Sequence, residues 1–208
     1  MSSVLQSGPQ MARAALRNLA IVAVLALIPA GGVNAGQLPD HLKARQAIAA
    51  PAGSATLCTT YGWACARVGG QNMSDDQAMR LARSVNSAIN RQVYPLSDRA
   101  QYGVEERWAL PTRRGGDCED VVLLKKKALV SQGVAPERLL IATVLDRNRG
   151  SHAVLVLRTA AGDYVLDSLV STIKPWRATG YSFLKMQDPA SPSRWNAIFA
   201  GGIFSART

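Results

Sequence analysis

Histidine is scarce in this chain, with two residues among 208, and cysteine nearly as rare, with three. The shortage of histidine leaves two positions for an imidazole general base, His41 and His152. Acidic residues are also few, 14 against 24 lysines and arginines. Beyond the N-terminal region no stretch is long and apolar enough to cross a membrane, which excludes a bundle of spanning helices. Internal repeats and low-complexity tracts are missing, which excludes a repeat array or a disordered chain. The excess of positive charge fits contact with nucleic acid, anionic lipid or acidic polysaccharide. The basic residues are scattered, however. No binding module or aromatic-basic interleaving occurs, so no nucleic-acid partner is expected. The one tight run, Lys125-Lys126-Lys127, falls on an expected helix and reads as a solvated face.

What is present suits one packed domain: 48% hydrophobic and 18% charged residues. The N-terminus reads as a signal peptide over residues 1–35, with the domain at 36–208. Arg13 and Arg17 precede the apolar run Leu19 to Ile28, Pro29 breaks it, and Val33-Asn34-Ala35 is a small-x-small cleavage site. Export to the periplasm or beyond is expected, with no stable membrane insertion after cleavage. In an exported chain, Cys58 and Cys65 read as a short-loop disulfide. Cys118 is then an odd thiol in an oxidising compartment.

Residues 36–57 read as a loose lead-in. Ser74 and Gln77 form a capping-box pattern before Ala78, Leu81, Val85 and Ile89, so a helix is expected from about Asp75 to Gln92. Ser97 to Leu110 reads as a connection. Asp117 is an expected N-cap for a helix of about four turns that opens on Cys118 and stops at Gly133. The period then changes. Leu139 to Leu145, His152 to Leu157 and Tyr164 to Leu166 are strand-length apolar runs joined by short loops. Helices followed by adjacent strands give an α+β fold with N-terminal helices packed on an antiparallel sheet. The segment from Pro175 is expected to wrap the core.

A thiol attacks as thiolate, and the first turn of a helix favours negative charge. Cys118 has that placement. His41 lies in the lead-in, which leaves His152 as the base. If Leu157 faces Tyr164 across the hairpin, Val154 faces Asp167, and His152 and Asp167 become diagonal neighbours on one face. Asp167 could then orient the imidazole. A register shifted by one would separate them. Taken singly, a helix-start Cys, a strand-edge His and a strand-end Asp are more often structural, and spacing alone leaves both readings open.

Gly116-Asp117-Cys118-Glu119-Asp120, with Ser151-His152-Ala153-Val154-Leu155 and Val165-Leu166-Asp167 downstream, resembles the bacterial transglutaminase-like cysteine peptidases. Val85-Asn86, Asn90, Trp108 and Pro111 extend the likeness over most of the mature chain. The resemblance implies a papain-like, transglutaminase-like core and a triad of Cys118, His152 and Asp167. It implies an acyl-enzyme and a protein or peptide substrate, as in the periplasmic members that release a biofilm adhesin from the cell surface. It also implies calcium held by Asp117, Glu119 and Asp120, and no organic cofactor. Hard oxygen ligands suit calcium. The competing reading of the same acids is helix capping. The chain departs from the family pattern at Val121-Val122, where an aromatic is common, and at Ser168, where Asn is. Two other functions share these residues or this fold: acyl transfer to an amine, and a non-catalytic binding or scaffold protein.

Overall fold

Ser74 starts the first long helix by the reciprocal bonds its sequence promises. Its side chain accepts from the Gln77 N–H, and its own N–H donates to Gln77 Oε1. The computed structural model, which describes residues 39–205, places this helix, α2, at Asp75–Gln92. The signal-peptide expectation lies outside the described residues. Before α2 come strand β1 (Gln46–Ile48) and the short helix α1 (Leu57–Thr60). Helix α3 (Asp98–Tyr102) follows α2, and α4 (Cys118–Ser131) follows α3. Gly133 ends α4 at positive φ, with Gly133 N–H bonded to Val130 O and Val134 N–H to Leu129 O. The remaining strands are β2 (Leu139–Leu145), β3 (Ser151–Thr159), β4 (Gly162–Leu166), β5 (Lys174–Pro175), β6 (Ser182–Asp188) and β7 (Ser191–Ala200).

The seven strands form one antiparallel sheet in the order β1-β7-β6-β2-β3-β4-β5. Helices α2 and α4 cover one face, where Ala78, Ala82, Val85 and Ile89 meet Val122, Leu129, Ile141, Leu155 and Leu157. The opposite face buries Leu140, Val144, Val154, Val156, Phe183 and Ile198 with Trp176 and Tyr181. Sheet residues are thus buried on both sides, which explains why β2 is an unbroken apolar run and not an alternating one. Leu157 pairs with Tyr164 and Leu155 with Leu166, the register that puts Asp167 opposite Val154. No helix among the described residues is long and apolar enough to cross a membrane.

Four local expectations are corrected. The C-terminal part joins the sheet where it was expected to wrap the core: β6 and β7 insert between β1 and β2 as a hairpin. The lead-in supplies the edge strand β1. Ser97 caps α3 inside what reads as a connection, by accepting from the Ala100 N–H. The lysine run is not a solvated face. Lys125 and Lys126 are fully buried, because α4 lies between the sheet on one side and α2 on the other. Lys126 Nζ donates to Gln187 Oε1 at 2.9 Å, while Lys125 Nζ has no hydrogen-bond partner. Burial pulls both ammonium groups down to about 7, and Asp167 opposes that for Lys125.

Candidate active site

The loop before α4 is built around two glycines. Gly115 has φ +133, and a Cβ there would lie 2.0 Å from the Tyr94 carbonyl oxygen. A Cβ on Gly116 would lie 2.7 Å from Asp120 Oδ2. Only glycine permits these approaches. The loop is then tied to residues 94–96: Gly116 N–H donates to Tyr94 O and Leu96 N–H to Gly116 O, both at 3.1 Å. Cys118 is thereby fixed as the first residue of α4. Asp117 holds the N-cap position but makes no side-chain cap bond, contrary to expectation. Its Oδ2 instead accepts from the Asp98 N–H at 3.2 Å, at the start of α3.

His152 and Asp167 meet as the hairpin register requires. His152 Nε2 lies 2.8 Å from Asp167 Oδ1, and both side chains are buried. The Asp167 carboxylate is held from several sides. Oδ1 also accepts from the Leu169 N–H at 2.9 Å, Oδ2 accepts from the Tyr181 hydroxyl at 2.5 Å, and Asn90 Nδ2 donates to the Asp167 carbonyl. Burial alone would raise this carboxyl, but the bonds from His152, Tyr181 and Leu169 hold it below the usual range. Tyr181 packs its ring edge-on to His152, with centroids 6.0 Å apart. With Nε2 turned to Asp167, Nδ1 is the imidazole nitrogen left for a second partner. Cys118 and His152 together line two cavities.

The thiol itself is held by an acid. Cys118 Sγ donates to Glu119 Oε2 at 3.1 Å. Burial pushes the thiol pKa up, the Glu119 and Asp117 charges push it further, and a backbone bond from Ala153 opposes them. Asp98, Asp117 and Glu119 bring carboxylate oxygens within 4.8 Å of one another. Burial, then Asp117, raises Glu119 to about 8; burial, then Asp98, raises Asp117. Asp98 Oδ1 and Asp117 Oδ1 are buried without partners. Three clustered oxygen donors with orphaned lone pairs fit a hard divalent cation. Asp120 lies outside the 4.8 Å cluster, but its Oδ2 is likewise buried without a partner. Its Oδ1 accepts from the Ala109 N–H at 2.9 Å, and burial raises it to about 7. Of the acids named from sequence, Asp117 and Glu119 cluster with Asp98, and Asp120 feels the charges of Asp117 and Asp98 and keeps an orphaned oxygen of its own. Cys58 and Cys65 form a disulfide, leaving Cys118 free.

Sequence reasoning missed Tyr181 and Asp98. Tyr181 lies in a turn before β6 with no motif around it. Asp98 carried a signal, as the residue after a helix-capping Ser97, but nothing in the spacing joined it to Asp117.

Residues 44–202 match the model of the bacterial transglutaminase-like cysteine proteinases. The chain belongs to this family. As a member of the bacterial transglutaminase-like cysteine proteinases it is a cysteine peptidase, and a solved structure agrees in fold. Calcium-bound LapG of Legionella pneumophila superposes with a TM-score of 0.50 at 23% identity, covering 65% of this chain and 77% of that one. A second structure of the same Legionella protein gives 0.49 at 23%, covering 60% and 71%. No curated protein sequence matches the chain.

Proposed function

We propose that this family member is an exported peptidase in which Cys118 attacks a substrate carbonyl with His152 as base and Asp167 as orienting acid. The observation that carries the reading is the 2.8 Å bond from His152 Nε2 to a buried Asp167, beside a cysteine at a helix start. An ionised Asp167 keeps the proton on Nε2, so Nδ1 is free to take the thiol proton. The thiolate adds to the peptide carbonyl. The C–N bond then breaks as the imidazolium protonates the leaving amine, and a thioester remains. Water, deprotonated by the same imidazole, hydrolyses the thioester and returns the free thiol. The unpaired backbone N–H of Cys118, in the first turn of α4, suits the developing oxyanion.

Asp98, Asp117 and Glu119 would hold calcium. Bound there, the ion supplies positive charge beside the thiol. Support comes from the orphaned oxygens of Asp98 and Asp117 and from the calcium-bound state of LapG. Glu119 would then cease to be the acceptor of the Cys118 proton. The expected substrate is a protein, of the cell surface in the first instance, because residues 1–35 carry export features and residues 36–208 the peptidase. The test is to compare new protein N-termini in cells making the wild type or Cys118→Ala. Cleavages confined to the wild type are expected, and identical profiles would remove the proposal.

A further inference from the structure

The cavity on the α2 side of Cys118 carries five apolar side chains, Val93, Pro95, Leu96, Val121 and Leu169, together with Asn90, Asp117 and two serines. It measures about 360 Å³ and includes Cys118 and His152 in its lining. Exposed apolar residues neighbour its lining in the chain. Among the described residues seven large hydrophobic side chains are exposed. Leu169 is one and lines the cavity. Val170, another, follows it in the chain, and Tyr94, a third, lies between the lining residues Val93 and Pro95. Leu169 is 64% exposed and Tyr94 72%. Exposed apolar groups gathered at one concave site mark binding, whereas single ones scattered over a surface do not.

Both walls are tied to the reacting groups. On one side, Leu96 N–H donates to Gly116 O and Gly116 N–H to Tyr94 O, so this wall moves with the loop that carries Cys118. On the other, the Leu169 N–H donates to Asp167 Oδ1, so that wall is set by the same carboxylate that holds His152. A side chain seated between them is positioned against the sulfur with no mobile linker in between. A second cavity also includes Cys118 and His152, and its lining mixes the acids Asp98, Glu106 and Glu119 with Trp108 and Leu184.

We infer that the cavity formed by Val93, Pro95, Leu96, Val121 and Leu169 is a specificity subsite that takes one apolar side chain of the substrate polypeptide. Because Cys118 itself is part of the wall, and an extended chain advances about 3.3–3.6 Å per residue, that side chain lies within about two residues of the scissile bond. The inference rests on the peptidase reading above and adds to it the class of residue selected. The assignment makes Leu169 a specificity residue whose side chain touches substrate while its backbone supports Asp167.

The test uses the full mature chain with calcium and a peptide library from a digested proteome, with cut sites read by mass spectrometry. Wild type should enrich Leu, Ile, Val, Met or Phe at one fixed position by about tenfold or more, the selectivity an apolar pocket gives. Leu169→Glu, at an exposed position that tolerates charge, should abolish that enrichment. Leu169→Met should keep it. Wild-type cuts that are absent with Cys118→Ala but show no apolar selection would overturn the subsite and leave the peptidase standing. Leu169→Glu with unchanged enrichment would overturn it equally. A library left uncut by the wild type would remove both.

Discussion

Replacing Glu119 with Gln should make Cys118 more reactive in calcium-free protein, by an amount that grows with pH. The Sγ–Oε2 separation is 3.1 Å, and the side chains are close in size. One unit charge about 4 Å from the sulfur is worth about 4 kcal/mol at an effective dielectric near 20. That is a ceiling of about 3 pKa units. Cys118 is only half-buried and lines open cavities, so solvent reduces the effect to roughly 1–2 units. Part of the gain is cancelled, because a lower-pKa thiolate is a weaker nucleophile with a Brønsted slope of about 0.4–0.5. The net expectation is a rise of about three- to tenfold in the alkylation rate. Glu119 itself is pushed up to about 8, so most of its charge is present only above that pH. The ratio of Glu119→Gln to wild type should therefore be small at pH 6.5 and reach its full value near pH 9. The assay is iodoacetamide alkylation of Cys118 in chelator, followed by mass spectrometry across that range. A ratio of one at pH 9 would refute the assignment of Glu119 as the acid that restrains the thiol. Saturating calcium should quicken the wild type in the same direction.

Tyr181→Phe keeps the ring against His152 and removes the donor to Asp167 Oδ2, so kcat/KM should fall about 10- to 100-fold with KM little changed; an unchanged kcat would exclude a positioning role. Lys126 titrates at about 7 in the fold against 10.5 in the unfolded chain, which therefore binds more protons between those values. Stability should accordingly rise with pH through that window and fall as pH drops through it, by on the order of 3 kcal/mol for this lysine in urea unfolding; Lys125 adds a like contribution, so Lys126→Met should lose about half of the slope, and an unchanged slope would contradict the buried amine. Calcium at about 100 times its Kd should add about 2.7 kcal/mol and raise Tm by about 5–10 °C, reversibly with chelator. Asp98→Asn should abolish that shift, and an undiminished shift would place the ion elsewhere.

The parts of the fold that were legible in sequence are those set by local rules. The capping box at Ser74, the Gly133 stop and the β3–β4 register all follow from short-range pattern. The register is what made His152 and Asp167 readable as neighbours. What stayed hidden depends on layers. The run Lys125-Lys126-Lys127 looks solvated because charge is normally exposed, yet α4 is covered by the sheet and by α2, and Gln187 from β6 arrives to satisfy Lys126. Strands β6 and β7 were unreadable because they join the sheet beside β2 and β1, far away in sequence. Asp98 and Tyr181 were not readable as site residues for the same reason: they reach the site across distant chain, Asp98 at Asp117 and Tyr181 at Asp167 and His152.

The central claim is that Cys118 carries the acyl group during turnover. Acid-quenched reactions with a cleavable peptide, analysed by mass spectrometry, test it directly. The account predicts a substrate-derived thioester on the peptide that contains Cys118, present in wild type and absent from Cys118→Ala, which also ceases to cleave. Cleavage that persists in Cys118→Ala, or turnover with the adduct on another residue, would contradict it.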